Sequence, residues 1–304
     1  MKRIFLFLIS FNFIISYPFF PTILTLSLPS KDKKSFRVEN TFARWIQAAG
    51  GDLIIVHHWT KKEDIENLIK NKINGVLFQG NPEDINLNSD YSKQVKIIYD
   101  LVTQNYKENS KIPIYAFGND MILIGLLGSG KENITYGKLI LNTPNFISIK
   151  KEDSLVFEEF QKRDIEAIQK KEICPNHLTH YINQTSYDQT LKDTFDIIAT
   201  ANSSNIEYIS IIQHKTYPII GISFHPEYVS FEQNTKYNIP QNLNSVLVAR
   251  LIANAFVFYG RENCPNKLTI EEKKDNKGVF EFIDPYEMFP KIFEDRYQFV
   301  YVKK

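Results

Sequence analysis

Apolar positions along this chain follow two periods that take turns. "PTILTLSLP", Pro21 to Pro29, is a continuous apolar, β-branched run closed by proline, the pattern of a buried strand. "ENTFARWIQAAGG" then sets Phe42, Trp45, Ile46 and Ala49 at helical spacing, with Gly50 as the stop. "DLIIVHHW" reads as the second strand. "KEDIENLIKNK" puts Ile65, Leu68 and Ile69 on one helix face, and "INGVLFQGN" is a third strand ending in a Gly80–Asn81 turn. A helix over 92–105 buries Val95, Ile98, Leu101 and Val102. The next strand, Ile112 to Phe117, passes through Gly118, Asn119 and Asp120 into an apolar helix. The last core strand, Ile219 to Phe224, delivers His225 and Glu227, with Pro226 barring further ladder pairing.

Strands alternating with amphipathic helices predict an α/β fold: three αβα layers around a mostly parallel central sheet. Ligands of such sheets collect at the carboxyl ends of the strands. That edge would hold the turns at Gly80–Asn81 and Gly118–Asp120 together with His225. Residues 139–212 have a different texture, short strand-like pieces and one helix near 160–170, and predict antiparallel hairpins on the far side of the same sheet. A long apolar helix is expected from Asn244 to Tyr259, ending at Gly260. The tail, 261–304, reads as an extension packed on the 18–260 domain, its strand-like "GVFEFI" and "YQFVYV" forming an added hairpin.

The first residues change the picture of destination. Two basic residues precede an apolar run from Ile4 to Ile15, broken only by Ser10 and Asn12, with small Ser16 behind it. This is the order of a secretory signal peptide, here 1–17, with an uncleaved anchor as the alternative. No later stretch is expected to span a membrane, so none would hold the chain there after cleavage. The sequons at Asn133, Asn183 and Asn202 fit passage through a secretory compartment as glycosylation sites. With two cysteines, Cys174 and Cys264, the chain is no disulfide-framed miniprotein, and one bridge or two thiols both stay open. A net charge of +1 gives no electrostatic case for nucleic acid. The histidines show no metal-ligand spacing, and adjacent His57 and His58 would point to opposite faces of a strand. No metal and no cofactor is implied.

A sharp strand–turn–helix such as 112–131 is where many α/β hydrolases and amidotransferases hold a nucleophile. Here no Cys, Ser or Thr stands at the turn. His225 with Glu227 two residues on is, by contrast, the base and orienter half of a nucleophilic triad.

From Pro21 to Tyr259 the chain resembles the folate γ-glutamyl hydrolases, of the class I glutamine amidotransferase-like fold. The resemblance is carried by "PTILTLSLP", "TFARWIQAAGGDLIIVHH", "INGVLFQGN", "PIYAFGNDMILIGLLGSG", "TPNFIS" and, most specifically, "YPIIGISFHPEYVSFE". It implies a secreted, extracellular, lysosomal or vacuolar protein acting on γ-glutamyl bonds of folate polyglutamates by a Cys–His mechanism. By that resemblance His225 corresponds to the catalytic base and Glu227 to its partner. Gly80 and Asn81 fall on the turn supplying one oxyanion N–H, Asn119 on the residue supplying the other. His177 stands near a substrate-side histidine, with His180 competing for the place. The nucleophile position falls on Gly118, where the family's Gly-x-Cys-x-Gly elbow reads Ala116-Phe117-Gly118-Asn119-Asp120. Asp120 adds a carboxylate beside the oxyanion site. The expectation is an inactive relative that binds folate polyglutamate or another γ-glutamyl peptide. The alternatives are a water-based hydrolase using His225, or a secreted binding or structural protein; monomer and homodimer are both open.

Overall fold

The computed structural model of the chain describes residues 20–29, 35–81, 85–106, 111–138, 144–170, 174–175, 179–203, 206–232, 238–275, 279–282, 292–293 and 296–302. The leader 1–17 and His177 lie outside the described residues.

In chain order the first half comprises β1 (Thr22–Leu26), β2 (Leu28–Pro29), β3 (Ser35–Glu39), α1 (Asn40–Ala48), β4 (Asp52–Val56), α2 (Lys62–Asn71) and β5 (Gly75–Phe78). There follow α3 (Asp90–Tyr106), β6 (Ile114–Phe117), α4 (Asn119–Ser129), β7 (Gly137–Lys138), β8 (Pro144–Ile149), α5 (Lys162–Lys170), β9 (Cys174–Pro175) and β10 (His180–Tyr181). The remainder is α6 (Gln184–Thr190), β11 (Phe195–Ser203), β12 (Ile206–His214), β13 (Ile219–Ile222), α7 (Pro226–Phe231), α8 (Leu243–Asn263), α9 (Ile270–Lys274), β14 (Glu281–Phe282), β15 (Ile292–Phe293) and β16 (Arg296–Val302).

Ten strands form one sheet in the order β14-β4-β1-β5-β6-β13-β12-β11-β8-β9. The block β4-β1-β5-β6-β13 is parallel, and every ladder outside it is antiparallel. Helices cover both faces, which is why the central strands read as unbroken apolar runs. Side chains then divide by parity. Leu24, Ile54, Val76 and Ala116 face α2, α3 and α4, while Ile23, Leu53, Leu77 and Tyr115 face α1 and α8. The αβα layering and the far-side antiparallel strands are as the sequence predicts. From β1 the chain first adds β4 on one side and then crosses back to β5 on the other, a reversal that opens a crevice at the carboxyl edge.

Four expectations are corrected. Helix α8 does not stop at Gly260 but runs to Asn263. Gly260 is a contact residue, since a Cβ on it would lie 2.3 Å from the carbonyl oxygen of Asn74. The same helix is long and apolar enough to cross a membrane, by length and composition, contrary to the expectation that no later stretch would be. Val248, Ala249, Ile252 and Phe256 spend that apolarity on the sheet, and Trp45 Nε1 donates to Ala249 O at 2.9 Å to tie α1 to α8. The strands of "GVFEFI" and "YQFVYV" do not pair with each other: β14 extends the main sheet against β4, while β16 pairs with β3 and with the short β15 in a separate four-stranded sheet. Finally, β4 ends at Val56, so His57 and His58 occupy the turn after it and both rings gather on Phe36 rather than diverging.

Candidate active site

Strands β5, β6 and β13 are neighbours, so the residues following them meet at the carboxyl edge. Gly118 links β6 to α4 with φ 53° and ψ −125°. Glycine takes such a bend freely, whereas a side chain there would cost about 1–3 kcal/mol. A Cβ built on Gly118 would stand 3.4 Å from His225 Nε2 and 3.8 Å from the Cα of Gly80. Gly80 is also left-handed, φ 91°, and a Cβ on it would press to 3.0 Å from the carbonyl oxygen of Phe117. Two glycines thus let three chain segments converge on one imidazole.

His225 precedes Pro226, the first residue of α7, and the short helix returns Glu227 beneath the ring. Nδ1 of His225 lies 2.8 Å from Glu227 Oε1. A neutral imidazole donating through Nδ1–H to that carboxylate leaves Nε2 as an acceptor on the side facing Gly118. Glu227 is completely buried, and this burial pushes its carboxyl up, opposed by the charge and hydrogen bond of His225. Tyr228 stacks on the imidazole at 4.9 Å between ring centres, Phe42 meets it edge-on at 6.2 Å, and the Tyr228 hydroxyl donates to Glu39 Oε2 at 3.0 Å. The ring is therefore held in one orientation. Such an imidazole can accept a proton from a group placed at residue 118.

Asp120, in the first turn of α4, has 1% of its surface exposed. Its Oδ2 accepts the Gly80 N–H at 2.8 Å and the Tyr91 hydroxyl at 2.7 Å. Burial pushes this carboxyl up to about 6, while Tyr91, the Gly80 and Asn81 amides and His225 pull the other way. The Asp120 carboxyl thus draws the backbone N–H of the β5 turn and the Tyr91 hydroxyl onto one of its oxygens. Asn119 reaches sideways: Nδ2 donates to Asn81 O at 2.9 Å, and Oδ1 accepts from the Thr179 hydroxyl at 3.0 Å. His180 Nδ1 lies 3.2 Å from the same oxygen, its ring edge-on to Tyr136 at 4.5 Å. Tyr136 also forms part of the wall of a cavity of ≈ 460 Å³, with Leu87, Leu126, Glu132 and Ile134.

Gly80, Asn81, Gly118, Asn119, His225 and Glu227 are accordingly brought together. Asn133 is exposed between α4 and β7, and Asn202 is exposed on β11. Asn183 caps α6, accepting the Ser186 N–H at 2.8 Å. Cys264 is buried at the opposite edge of the sheet with Sγ 3.3 Å from Ile73 O. The backbone of Cys174 belongs to β9, which runs beside α7; its side chain lies outside the described residues. Tyr91, Thr179 and Tyr228 were not singled out from sequence. The aromatic after His-Pro-Glu was a visible signal for Tyr228, but Tyr91 looks like any core aromatic of an amphipathic helix.

No family model matches the chain. Curated relatives do. The γ-glutamyl hydrolase of Homo sapiens is 24% identical over 259 residues, 84% of this chain and 80% of that protein. γ-Glutamyl hydrolase B of Dictyostelium discoideum is 25% identical over 224 residues, 71% of this chain and 64% of that one. γ-Glutamyl hydrolase 1 of Arabidopsis thaliana is 22% identical over 256 residues, 80% and 72% respectively. Among solved structures, a glutamine amidotransferase from Methylobacillus flagellatus aligns with a TM-score of 0.47 and 8% identity over 83% of this chain and 97% of that one. The fold class rests on the strand order. Relatives of one name match across most of its length, and over that span the chain is similar to the γ-glutamyl hydrolases.

Proposed function

We propose that this protein recognises γ-glutamyl peptides, folate polyglutamates first among them, without forming an acyl-enzyme. One observation carries the reading: the bend at Gly118 would aim a side chain at His225 Nε2 from 3.4 Å, and glycine supplies none. A thiol at that position would attack the γ-glutamyl carbonyl while His225, steadied by Glu227, took its proton. Loss of the nucleophile leaves roughly 10³–10⁴ over water from binding and oxyanion contacts. Asp120 opposes even that, because its carboxylate sits where charge would develop. A second reading, water activated by His225, is favoured by the intact 2.8 Å contact to Glu227.

Glutamate release from a polyglutamylated folate, measured beside calorimetric binding, separates them. Binding without turnover is expected. Turnover abolished by His225→Ala would overturn the proposal in favour of water, and turnover abolished by Cys174→Ala would place a thiol from β9 in the site. Entry into the secretory pathway through residues 1–17 belongs to the same proposal. N-terminal sequencing of secreted protein beginning near residue 17, with glycans on exposed Asn133 and Asn202, is the expected result.

A further inference from the structure

We propose that Asp120 gates an anion-binding hole: when ionised it occupies the hole itself, and only its neutral form admits a carboxylate ligand. The inference deepens the proposed function, resting on that reading only for which carboxylate is bound. Oδ2 of Asp120 holds two short donor contacts, 2.8 Å to the Gly80 N–H and 2.7 Å to the Tyr91 hydroxyl. The Asn81 amide also favours the ionised form, and the carboxylate lies in the first turn of α4, where the helix dipole adds to the attraction. Oδ1, equally buried, has no hydrogen-bond partner among the described residues, so half of the carboxyl group's bonding capacity is unused. The assembly has the parts of an oxyanion hole, with a resident anion in place of a visiting one.

A ligand carboxylate cannot join it while Asp120 is charged. Two carboxylates at contact in a buried site do not both stay ionised. Other groups that face Asp120 are few. From α3 there is Tyr91, and from the β13–α7 junction His225, which Glu227 backs; the β5 turn contributes backbone amides, and α4 carries no other charged residue. These are the groups among the described residues. With the Asp120 carboxyl pushed up to about 6, it is mostly neutral at pH 5 and ionised at pH 8. Neutral, it gives up its claim on the amides and gains an O–H that can donate to an incoming anion. The hole therefore opens in mildly acid surroundings and closes at neutral pH.

The test uses the full chain, formate as a carboxylate that stays ionised throughout, and the Gly80 and Asn81 amide resonances as reporters. Competent fractions of about 0.9 at pH 5 and about 0.01 at pH 8 give the wild type a roughly ninetyfold tighter apparent affinity at the lower pH. Asp120→Gly removes the resident anion, and the ratio should shrink by about tenfold or more. Equal affinity at both pH values in the wild type overturns the proposal. So does an undiminished ratio in Asp120→Gly, which would assign the effect to His225. Should that variant fail to fold, the ligand-free wild type still decides. The Gly80 amide must move with a midpoint near 6, and the midpoint must rise in Tyr91→Phe, which loses a donor to the ionised form; a Gly80 amide that is still from pH 4 to 8 refutes the gate. Polyglutamate that binds at neither pH, while formate follows the expected pattern, would refute the ligand named above and leave the gate standing.

Discussion

The two edges of the parallel block treat buried polar groups in opposite ways. At the amino edge, Asn74 uses its whole side chain. Its Oδ1 accepts the Thr22 N–H, and Nδ2 donates to the carbonyls of Cys264 and Asn266, each at 2.9 Å. Those groups are neutral, and they tie β1, β5 and the end of α8 into one joint. At the carboxyl edge, Asp120 and Glu227 are as deeply buried but ionisable. Asp120 Oδ1 and Glu227 Oε2 make no hydrogen bond among the described residues, and burial raises both carboxyls. Stability alone gives no reason for this second arrangement, because a buried carboxylate costs more than the neutral group it could be replaced by. Ionisation under strain concentrates where ligands are handled. The contrast sets the carboxyl edge apart as the candidate working end, with Gly118 bringing no side chain to its elbow.

The largest expected effect comes from placing a thiol at residue 118. Gly118→Cys alone should give little γ-glutamyl hydrolysis, since Asp120 still holds the Gly80 amide. Adding Asp120→Gly frees the amide, and losing or gaining one oxyanion donor is worth about 10²–10³ in rate. The double variant should exceed the single one by that factor, and His225→Ala should remove the gain. Glutamate release from a folate polyglutamate reads all three. Equal rates in the single and double variants would show that Asp120 does not obstruct, and the two edges would then differ less than argued.

The next effect concerns stability alone. The Asp120 carboxyl is raised from 3.8 to about 6 on folding, so the folded chain holds that proton more tightly than the unfolded one. Its contribution is therefore fully present below about pH 4 and is lost as pH rises through about 6. The difference corresponds to about 3 kcal/mol. Urea titrations at pH 4 and pH 7 should show the wild type losing about that much more than Asp120→Asn. Glu227 shifts in the same direction but is common to both proteins and cancels. Parallel pH profiles would mean the carboxylate is comfortable where it sits.

How much of this was legible in the sequence differs between the edges. The unbroken apolar strands, the bend at Gly118 and the His-Pro-Glu end could be read because each depends on neighbours a few residues away. Asp120 was seen as a charge beside the oxyanion site, but its grip on Gly80 and Tyr91 joins three elements and leaves no local trace. The tail was misread for a similar reason. β16 finds its partner in β3, and β14 finds its own in β4, pairings across most of the chain that no turn signal announces. Helix α6, seven polar-rich residues capped by Asn183, has too little periodicity to stand out. Glycine after an apolar helical run is the usual stop signal, which is why the sequence predicts a helix end at Gly260. Its real role is a close approach between two backbones.

That glycine supplies the smallest effect and the control for the others. In an exposed helix interior, glycine to alanine gains up to about 1 kcal/mol. At Gly260 the added Cβ would fall 2.3 Å from Asn74 O, a backbone atom fixed between β5 and its neighbours, so α8 must shift away from the sheet. Overpacking of this kind costs about 1–3 kcal/mol, and Gly260→Ala should lower the urea midpoint accordingly. The Gly80 and Asn81 amides and their response to formate should not change, because the substitution lies at the far end of the strands. A stabilised variant would show that the contact yields easily. A destabilised variant whose carboxyl-edge amides also moved would show that the two edges are one cooperative unit, and a division of labour between them could no longer be maintained.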